Sequence, residues 1–528
     1  MKKLKAAVIL DNLTISKWQQ SALDQASESL DLVLIINCKN TKTKKNLKNN
    51  FLYYVLNVFT LKNSLTKRVS YSISNEKVLS FDSAYKGNWQ SIPENISQHL
   101  SDKKIDVVIK FGMSLLKIDE NLESIPILSF HHGDPSKFRG RPAGFYELLY
   151  DQDKSGVIVQ ELTNKLDAGR VLAFAESKLA HHSYKKTAEN FYSQSQYLLN
   201  KAVINLQNNV SLPIATDGKN YRLPSNITVI YFFTVLLKRK VKRSLYGAFY
   251  EKKWKVGTVN LQPNLKSTNH IDSELIKEIS IEPKYSFYAD PFFSLDGAKI
   301  RLEALYKKTG LGDIIEIDLE NQKNSKVLLS GKHYSYPFSF LLDEDEQLLP
   351  EVASHSPQYF FSLSKKQVQP FILKGLENKR LVDATLYLHN DTWYLFYGES
   401  SSAHSVLNLW TSDSMKTNFK RHPSSPICIS PSSARMAGRI LLTDNGLFRF
   451  GQNNNRAYGS AITISEITDL SLNRYEEKIC GSIRINNYLG PHSIDFHIDK
   501  GIALIDYYVD EFSVFSGARR FKALLSKK

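Results

Sequence analysis

The sequence predicts two unlike halves, an α/β domain built on a mostly parallel sheet and then an all-β five-bladed propeller. Three observations predict this. Over the first 210 residues, β-branched runs alternate with stretches at helical spacing. From about residue 256 the texture changes to short strands with turn residues every eight to twelve positions. Within that second half a weak repeat recurs. The chain of 528 residues, 42% hydrophobic and 23% charged, has the composition of a folded protein of several domains and excludes a disordered or collagen-like one.

In the first half the strand-like runs are AAVIL (6–10), DLVLII (31–36), IDVVIK (105–110), IPILSF (125–130) and GVIVQEL (156–162). Helical stretches lie between several of them, as at Lys17–Leu30 and Tyr184–Leu206. Such alternation implies βαβ units. No GxGxxG follows the first run, so a dinucleotide fingerprint is absent. The AAVIL run is too short for a secretory h-region and lacks a small-residue cleavage site, so it reads as a first strand. With three cysteines (Cys38, Cys428, Cys480) and no run of 18 apolar residues, the expectation is a cytoplasmic protein without a disulfide framework or a bilayer span.

The net charge of +16 is unevenly placed. Residues 1–100 carry +7, residues 101–200 are neutral, residues 201–250 carry +7 and the remainder +2. This local basicity argues against a nucleic-acid surface, which spreads bases along one aromatic-rich face. Residues 211–255 form an expected basic and apolar linker. The apolar-then-basic stretch at 228–243 fits two readings, a linker helix with a solvated basic end or a peripheral contact with the inner face of a membrane.

Residues 256–525 form the expected propeller. Five segments read as innermost strands, namely YADPFFS (288–294), YPFSFLL (336–342), VDATLYL (382–388), RMAGRIL (435–441) and GPHSIDF (490–496). Counted from Asp290, Pro337, Asp383, Arg435 and His492 the steps are 47, 46, 52 and 57 residues, near a propeller blade. A propeller channel collects residues from its innermost strands, so Asp290, Glu351, Asp383, Arg435 and His492 are its candidate lining, with Glu303 a further candidate. Two such carboxyls flanking a sugar can do acid and base work. Binding of a saccharide and the capping of turns fit the same residues. His492, Asp495 and His497 do not suggest a metal site, because residues five apart on a strand face opposite sides.

The stretch Ile125–Leu172 carries the chemistry of the first half. A strand ends at Phe130, His131 and His132 follow, and a loop leads to the turn LDAG. Ligands of open parallel sheets bind beyond the carboxyl ends of strands. Here the sequence resembles the catalytic domain of the formyltransferases, among them the methionyl-tRNA, glycinamide ribonucleotide and sugar N-formyltransferases. The likeness spans roughly 1–205 and is most specific over 105–172. It implies a Rossmann-like domain using 10-formyltetrahydrofolate as formyl donor, no metal, and an amino sugar or nucleotide sugar as acceptor. It implies His131 and Asp167 as catalytic groups, with Ser129 where the family has an oxyanion-binding asparagine. It also implies Lys110, Phe111, Gly112, Met113 and Gly169 as the cofactor's contacts. The second half resembles the propellers of family-43-type glycosidases and the N-terminal domain of plant glucosamine inositolphosphorylceramide transferase, through YADPFF, LPEV, VDATLYLHNDTWYLFY and GPHSIDFH. That likeness implies a carbohydrate at the propeller. The leading expectation is N-formylation of an amino sugar in surface polysaccharide synthesis. The alternative is a glycan-binding or glycan-active propeller beside a degenerate formyltransferase domain.

Overall fold

The computed structural model describes residues 2–39, 47–72, 77–82, 84–87, 89–165, 169–262, 264–322, 325–353, 358–364 and 370–525. It divides into two units, 1–243 and 244–528.

The first unit is built on strands β1 (Leu4–Asp11), β2 (Leu30–Lys39), β3 (Lys77–Asp82), β4 (Val107–Lys110), β5 (Ile127–His131), β6 (Lys154–Glu161) and β7 (Val171–Lys178). Their order is β7-β6-β5-β4-β1-β2-β3. The run from β5 to β3 is parallel, whereas β6 and β7 are antiparallel additions at one edge. The central strand shows why. Ala6 to Leu10 are all 0% exposed, a continuous apolar run of the kind that both faces of a parallel sheet require. Helices α1 (Lys17–Ala26), α2 (Leu47–Thr60), α3 (Glu94–Asp102), α4 (Phe145–Leu149), α5 (Tyr184–Ser195) and α6 (Leu198–Gln207) complete the alternation, and α7 (Asn226–Phe249) follows.

The linker expected at 211–255 is absorbed into structure. Lys219–Tyr221 pairs with Phe138–Gly140. Val229 and Phe232 of α7 are fully buried, and the Phe232 ring stacks on Phe145 at 4.1 Å between centroids. Tyr250 already begins a strand of the second unit. None of the described helices is long and apolar enough to cross a membrane.

Among the described residues the second unit contains five sheets, four antiparallel and one mixed. The first three follow the chain and begin with β9 (Tyr285–Phe293), β10 (Tyr334–Leu342) and β11 (Leu381–His389). The fourth contains β12 (Gly446–Gln452) and takes in Thr268–Ile271, which runs parallel to Tyr475–Ile485. The fifth joins the two ends of the unit, for β8 (Tyr250–Asn260) pairs along its whole length with β13 (Ile502–Phe512). The fourth and fifth innermost strands differ from the expectation. Residues 435–441 carry only the bridge Met436 to Gly451, with Leu441 starting a strand, and in 490–496 the strand begins at Ile494.

One backbone device repeats. The ladders of β9, β10 and β11 with their neighbours each break register, at Ala289/Phe292, Ser335/Phe338 and Val382/Thr385. Inside the breaks Asp290, Tyr336 and Asp383 have φ of +48°, +47° and +49°. These are β-bulges with a non-glycine residue in the left-handed region, a costly conformation that re-aims a side chain. Tyr336, not Pro337, therefore keeps the register of the repeat.

Replacing Phe232 by alanine is expected to destabilise the first unit by about 3–5 kcal/mol, while the exposed neighbour Ile230→Ala changes it by less than about 0.5 kcal/mol. Denaturant titration of the full chain checks the contrast, and equal effects would return α7 to the role of a linker.

Candidate functional site

Two of the three residues expected to act in the first unit lie among the described residues. Ser129 and His131 lie on β5, both buried. The His131 Nε2 faces the Phe138 carbonyl at 3.1 Å, and a carbonyl only accepts, so Nε2 carries the proton and donates. His132 packs against Trp18 and Phe191. Ser195 Oγ donates its single proton to the Phe191 carbonyl at 2.8 Å, so His132 Nε2, 3.0 Å away, donates to Ser195. Burial, and then the neighbouring His131, pull the His132 pKa down to about 3, so it is a neutral packing group. Asp167 lies outside the described residues.

Beyond the carboxyl ends of β1 and β4, the main-chain donors of residues 111–113 are engaged within the fold. The main-chain N–H groups of Phe111 and Gly112 donate to the Ile9 carbonyl at 3.1 and 2.8 Å, and that of Met113 donates to Asp11 Oδ1 at 2.9 Å. Lys110 Nζ donates to the Ser114 carbonyl. The donors expected to meet a pteridine are thus engaged inside the fold. A Cβ on Gly112 would sit 2.6 Å from the Leu10 carbonyl carbon, which is how tightly this loop lies on β1. Trp18, Phe111 and Phe130 fill the space above, with ring centroids 5.1–5.8 Å apart. Gly169 approaches β6 so closely that a Cβ would stand 1.8 Å from the Glu161 carbonyl, a packing requirement in its own right. The recess lined by His132, Phe138, Arg141 and Glu147 has a volume of about 10 Å³, close to what one water occupies. Burial holds the Glu147 carboxyl there up at about 7.

The second unit gathers its expected residues differently. Asp506 of β13 is wholly buried. Its Oδ1 accepts the N–H groups of His492 and Ser493 at 3.1 and 2.6 Å, and its Oδ2 accepts the N–H of Asp290 at 3.0 Å. The His492 Nδ1 lies 3.1 Å from Asp506 Oδ2 and 3.3 Å from Asp290 Oδ1. Nδ1 has one proton and gives it to the nearer oxygen, which leaves Asp290 Oδ1 buried with a charge contact but no hydrogen bond. Burial opposes a charge on His492, but Tyr458, Asp506 and Asp290 outweigh it and hold its pKa well above the usual value. Its Nε2 then donates to the Tyr458 hydroxyl at 2.7 Å.

Asp383 anchors the other side. Arg435 grips it in a fork, Nε to Oδ2 at 2.5 Å and Nη2 to Oδ1 at 3.3 Å, and Gln452 adds a bond at 3.0 Å. Glu351 Oε2 lies 4.0 Å from Arg435 Nη2. The Arg435 guanidinium also stands 5.3 Å from the Tyr458 ring centre, so Tyr458 touches both sides. Glu303 is buried beside them. Burial, then Asp290 and Glu351, push its pKa well above the carboxylate range. Burial and then Asp383 push Glu351 up to about 8, against the pull of Arg435. Solvent reaches the cluster through Glu303, Glu351 and Arg435, whose side chains are 9%, 12% and 13% exposed.

All five expected channel residues are therefore in one cluster, together with Glu303. Asp506 and Gln452 were missed. The signal for Asp506 was a lone acid inside the apolar run IALIDYY. Asp290, His492 and Asp506 also bring ligand-type atoms within 4.8 Å of one another, but Asp506 is already saturated by the main chain. The trio His492, Asp495 and His497 is not assembled. Asp495 pairs with Arg439 and the Phe293 N–H, and the His497 ring lies against Phe293.

Comparison with known proteins bears on the second unit. Residues 278–487 match the family described as glucosamine inositolphosphorylceramide transferase 1, N-terminal. The chain is 27% identical over 205 residues to glucosamine inositolphosphorylceramide transferase 1 of Oryza sativa subsp. japonica, covering 36% of this chain and 28% of that protein. With the Arabidopsis thaliana relative it is 28% identical over 205 residues, covering 36% and 27%. The chain thus spans less than a third of the curated relatives it matches. Among solved structures, glycinamide ribonucleotide transformylase 1 from Symbiobacterium toebii is similar at 14% identity and a TM-score of 0.28, covering 42% of this chain and 94% of that one. A 4-N formyltransferase from Francisella tularensis is similar at 13% and 0.28, covering 41% and 76%.

The raised Glu351 pKa has a stability consequence. A carboxyl that holds its proton more tightly when folded contributes stability at pH below the ordinary carboxylate range, and that contribution is lost as pH rises towards and past 8. Glu351→Gln is expected to match the wild type at pH 5 and to exceed it by on the order of 2–4 kcal/mol at pH 9. Denaturant midpoints across that range check this, and parallel curves would refute it.

Proposed function

We propose that the second unit is a carbohydrate-active unit in which Asp290, Glu303, Glu351, Asp383, Arg435 and His492 form one glycosyl site, and that the first unit is a formyltransferase-like domain without that activity. This reading treats the five sheets as the blades of a propeller, supported by the shared bulges of β9, β10 and β11 and by the β8–β13 ladder that ties the ends of the unit together. The observation that carries it is the convergence of carboxyls with split character. Two have raised pKa values, Glu351 up to about 8 and Glu303 well above the carboxylate range, and both touch solvent. Beside them Asp290 offers an oxygen with no hydrogen-bond donor. A protonated carboxyl can donate to the oxygen of a breaking glycosidic bond, and a nearby carboxyl can accept from an attacking hydroxyl. Arg435, fixed by Asp383, supplies a positive charge for an anionic group on the substrate. The relatives' name joins glucosamine to inositolphosphorylceramide, so glucosaminyl compounds and inositol-phosphate head groups are the first substrates to try.

Formyl transfer from 10-formyltetrahydrofolate to an amino sugar is the second reading. Its support is place, because Ser129 and His131 end a parallel strand at the carboxyl edge of the sheet. Against it stand the occupied donors of residues 111–113.

One set of assays separates the two. The purified chain is offered a glycan array, aryl glycosides and nucleotide sugars, and separately 10-formyltetrahydrofolate with amino sugars. Glycan binding and turnover are expected in the first series. Glu303→Gln and Glu351→Gln are expected to cut turnover by about 10²–10⁴-fold, with His131→Ala without effect. Folate-dependent formylation that His131→Ala abolishes, with no glycan bound, would reverse the assignment.

A further inference from the structure

We infer that α2 and α7 of the first unit together form a docking surface for an anionic lipid bilayer, independently of the glycosyl reading. The two helices are neighbours. The Asn226 side chain at the start of α7 accepts from the Leu52 N–H at 3.0 Å and donates to the Lys48 carbonyl at 3.0 Å. Tyr53, Leu56, Val229 and Phe232 share one buried cluster behind them. Each helix turns a second apolar stripe outward. On α7, Ile227, Ile230, Leu237 and Val241 recur at intervals of three, seven and four residues and are 80%, 54%, 62% and 49% exposed. Intervals near multiples of 3.6 place them on one face, opposite the buried Val229 and Phe232. On α2, Phe51, Val58 and Phe59 are 53%, 52% and 73% exposed, opposite Tyr53 and Leu56. A face this apolar next to a solvated core is an interaction surface.

Charge identifies the occupant. Residues 39–75, which include α2, hold eight bases and no acid, and residues 218–250, which include α7, hold seven bases and no acid. Those fifteen bases (8 + 7) nearly equal the whole net charge of +16. Three of them are used inside the unit, since Arg68 binds Thr14, Arg239 binds the Leu148 carbonyl and Asp151, and Arg243 binds His182. Lys238, Lys240 and Lys242 are exposed and flank the apolar stripe. An exposed apolar stripe bordered by lysines lies in the head-group layer, where rings and branched chains enter the acyl boundary and ammonium groups meet lipid phosphate. Spanning is excluded for α7 by its five bases between 238 and 243. A protein partner of ordinary composition gives no reason for two segments so far apart in sequence to be free of acids.

The test is flotation of the full chain with vesicles of phosphatidylcholine alone and with about 30 mol% phosphatidylserine. Flotation is expected with the anionic vesicles only, and to weaken as salt is raised. The pairs Ile230→Glu with Leu237→Glu and Lys238→Glu with Lys242→Glu are each expected to lower the bound fraction at least about tenfold. Leu442→Glu, at an exposed position of the second unit, is expected to leave it unchanged. Thermal melts check that all variants are folded. No flotation with anionic vesicles, equal flotation of the variants, or a dimer in sedimentation that Ile230→Glu with Leu237→Glu dissolves would each overturn the inference, the last by assigning the face to a second copy.

Discussion

The carboxylate of Asp506 is the constraint on which the second unit's chemistry depends. It is inaccessible to solvent and collects main-chain N–H groups from Asp290, His492 and Ser493. These come from segments some two hundred residues apart, so one side chain fixes the bulge that aims Asp290 and the turn that presents His492. A buried charge is tolerable only when paired, and removing one partner of such a pair costs about 3–5 kcal/mol. The His492 imidazolium is that partner, and its own second nitrogen orients Tyr458. Position, protonation and orientation thus follow from one buried ion pair on a strand that itself closes the unit's first ladder.

In the first unit the residues singled out by the family resemblance lie on a buried strand. His131 ends a parallel strand where ligands bind in such sheets, yet the side chains around it have been used to complete a core. The donors of residues 111–113 return to β1, Trp18 and Phe111 occupy the crevice, and the one strongly shifted histidine, His132, is neutral among aromatic rings. The recess beside His132 holds about one water.

Much of this was legible in the sequence. The parallel strands showed as apolar runs, because burial on both faces leaves little choice of residue, as at Ala6–Leu10. Asp290, Asp383, Arg435 and His492 stood out because acids, an arginine and a histidine interrupt repeated apolar strands. What was not legible depends on long-range pairing. The bulges shift register by one residue, so Pro337 was counted where Tyr336 belongs. Asp506 looked like one acid in a strand until its ladder with β8 placed it under Asp290. The segment 211–255 read as a linker since its composition is mixed. Only the stacking of Phe232 on Phe145 reveals which face is core.

The distribution of local cost argues for where the function resides. A fold that only needs to be stable satisfies its buried polar groups and avoids left-handed backbone at branched or bulky residues. The second unit breaks these rules together, in one place. Asp290 and Asp383 are held at φ near +48°, Asp290 Oδ1 is buried without a donor, and two glutamic acids keep their protons against their ordinary acidity. Replacing these groups by apolar side chains of similar volume would relieve the buried-charge and missing-donor penalties, whereas only glycine would relieve the backbone. The first unit carries such costs too, with Leu13 and Met113 at φ of +50° and +62° and the buried Glu147 carboxyl held up at about 7. In the second unit they fall on groups in mutual contact that solvent still reaches, and it is on this that its proposed glycosyl role rests.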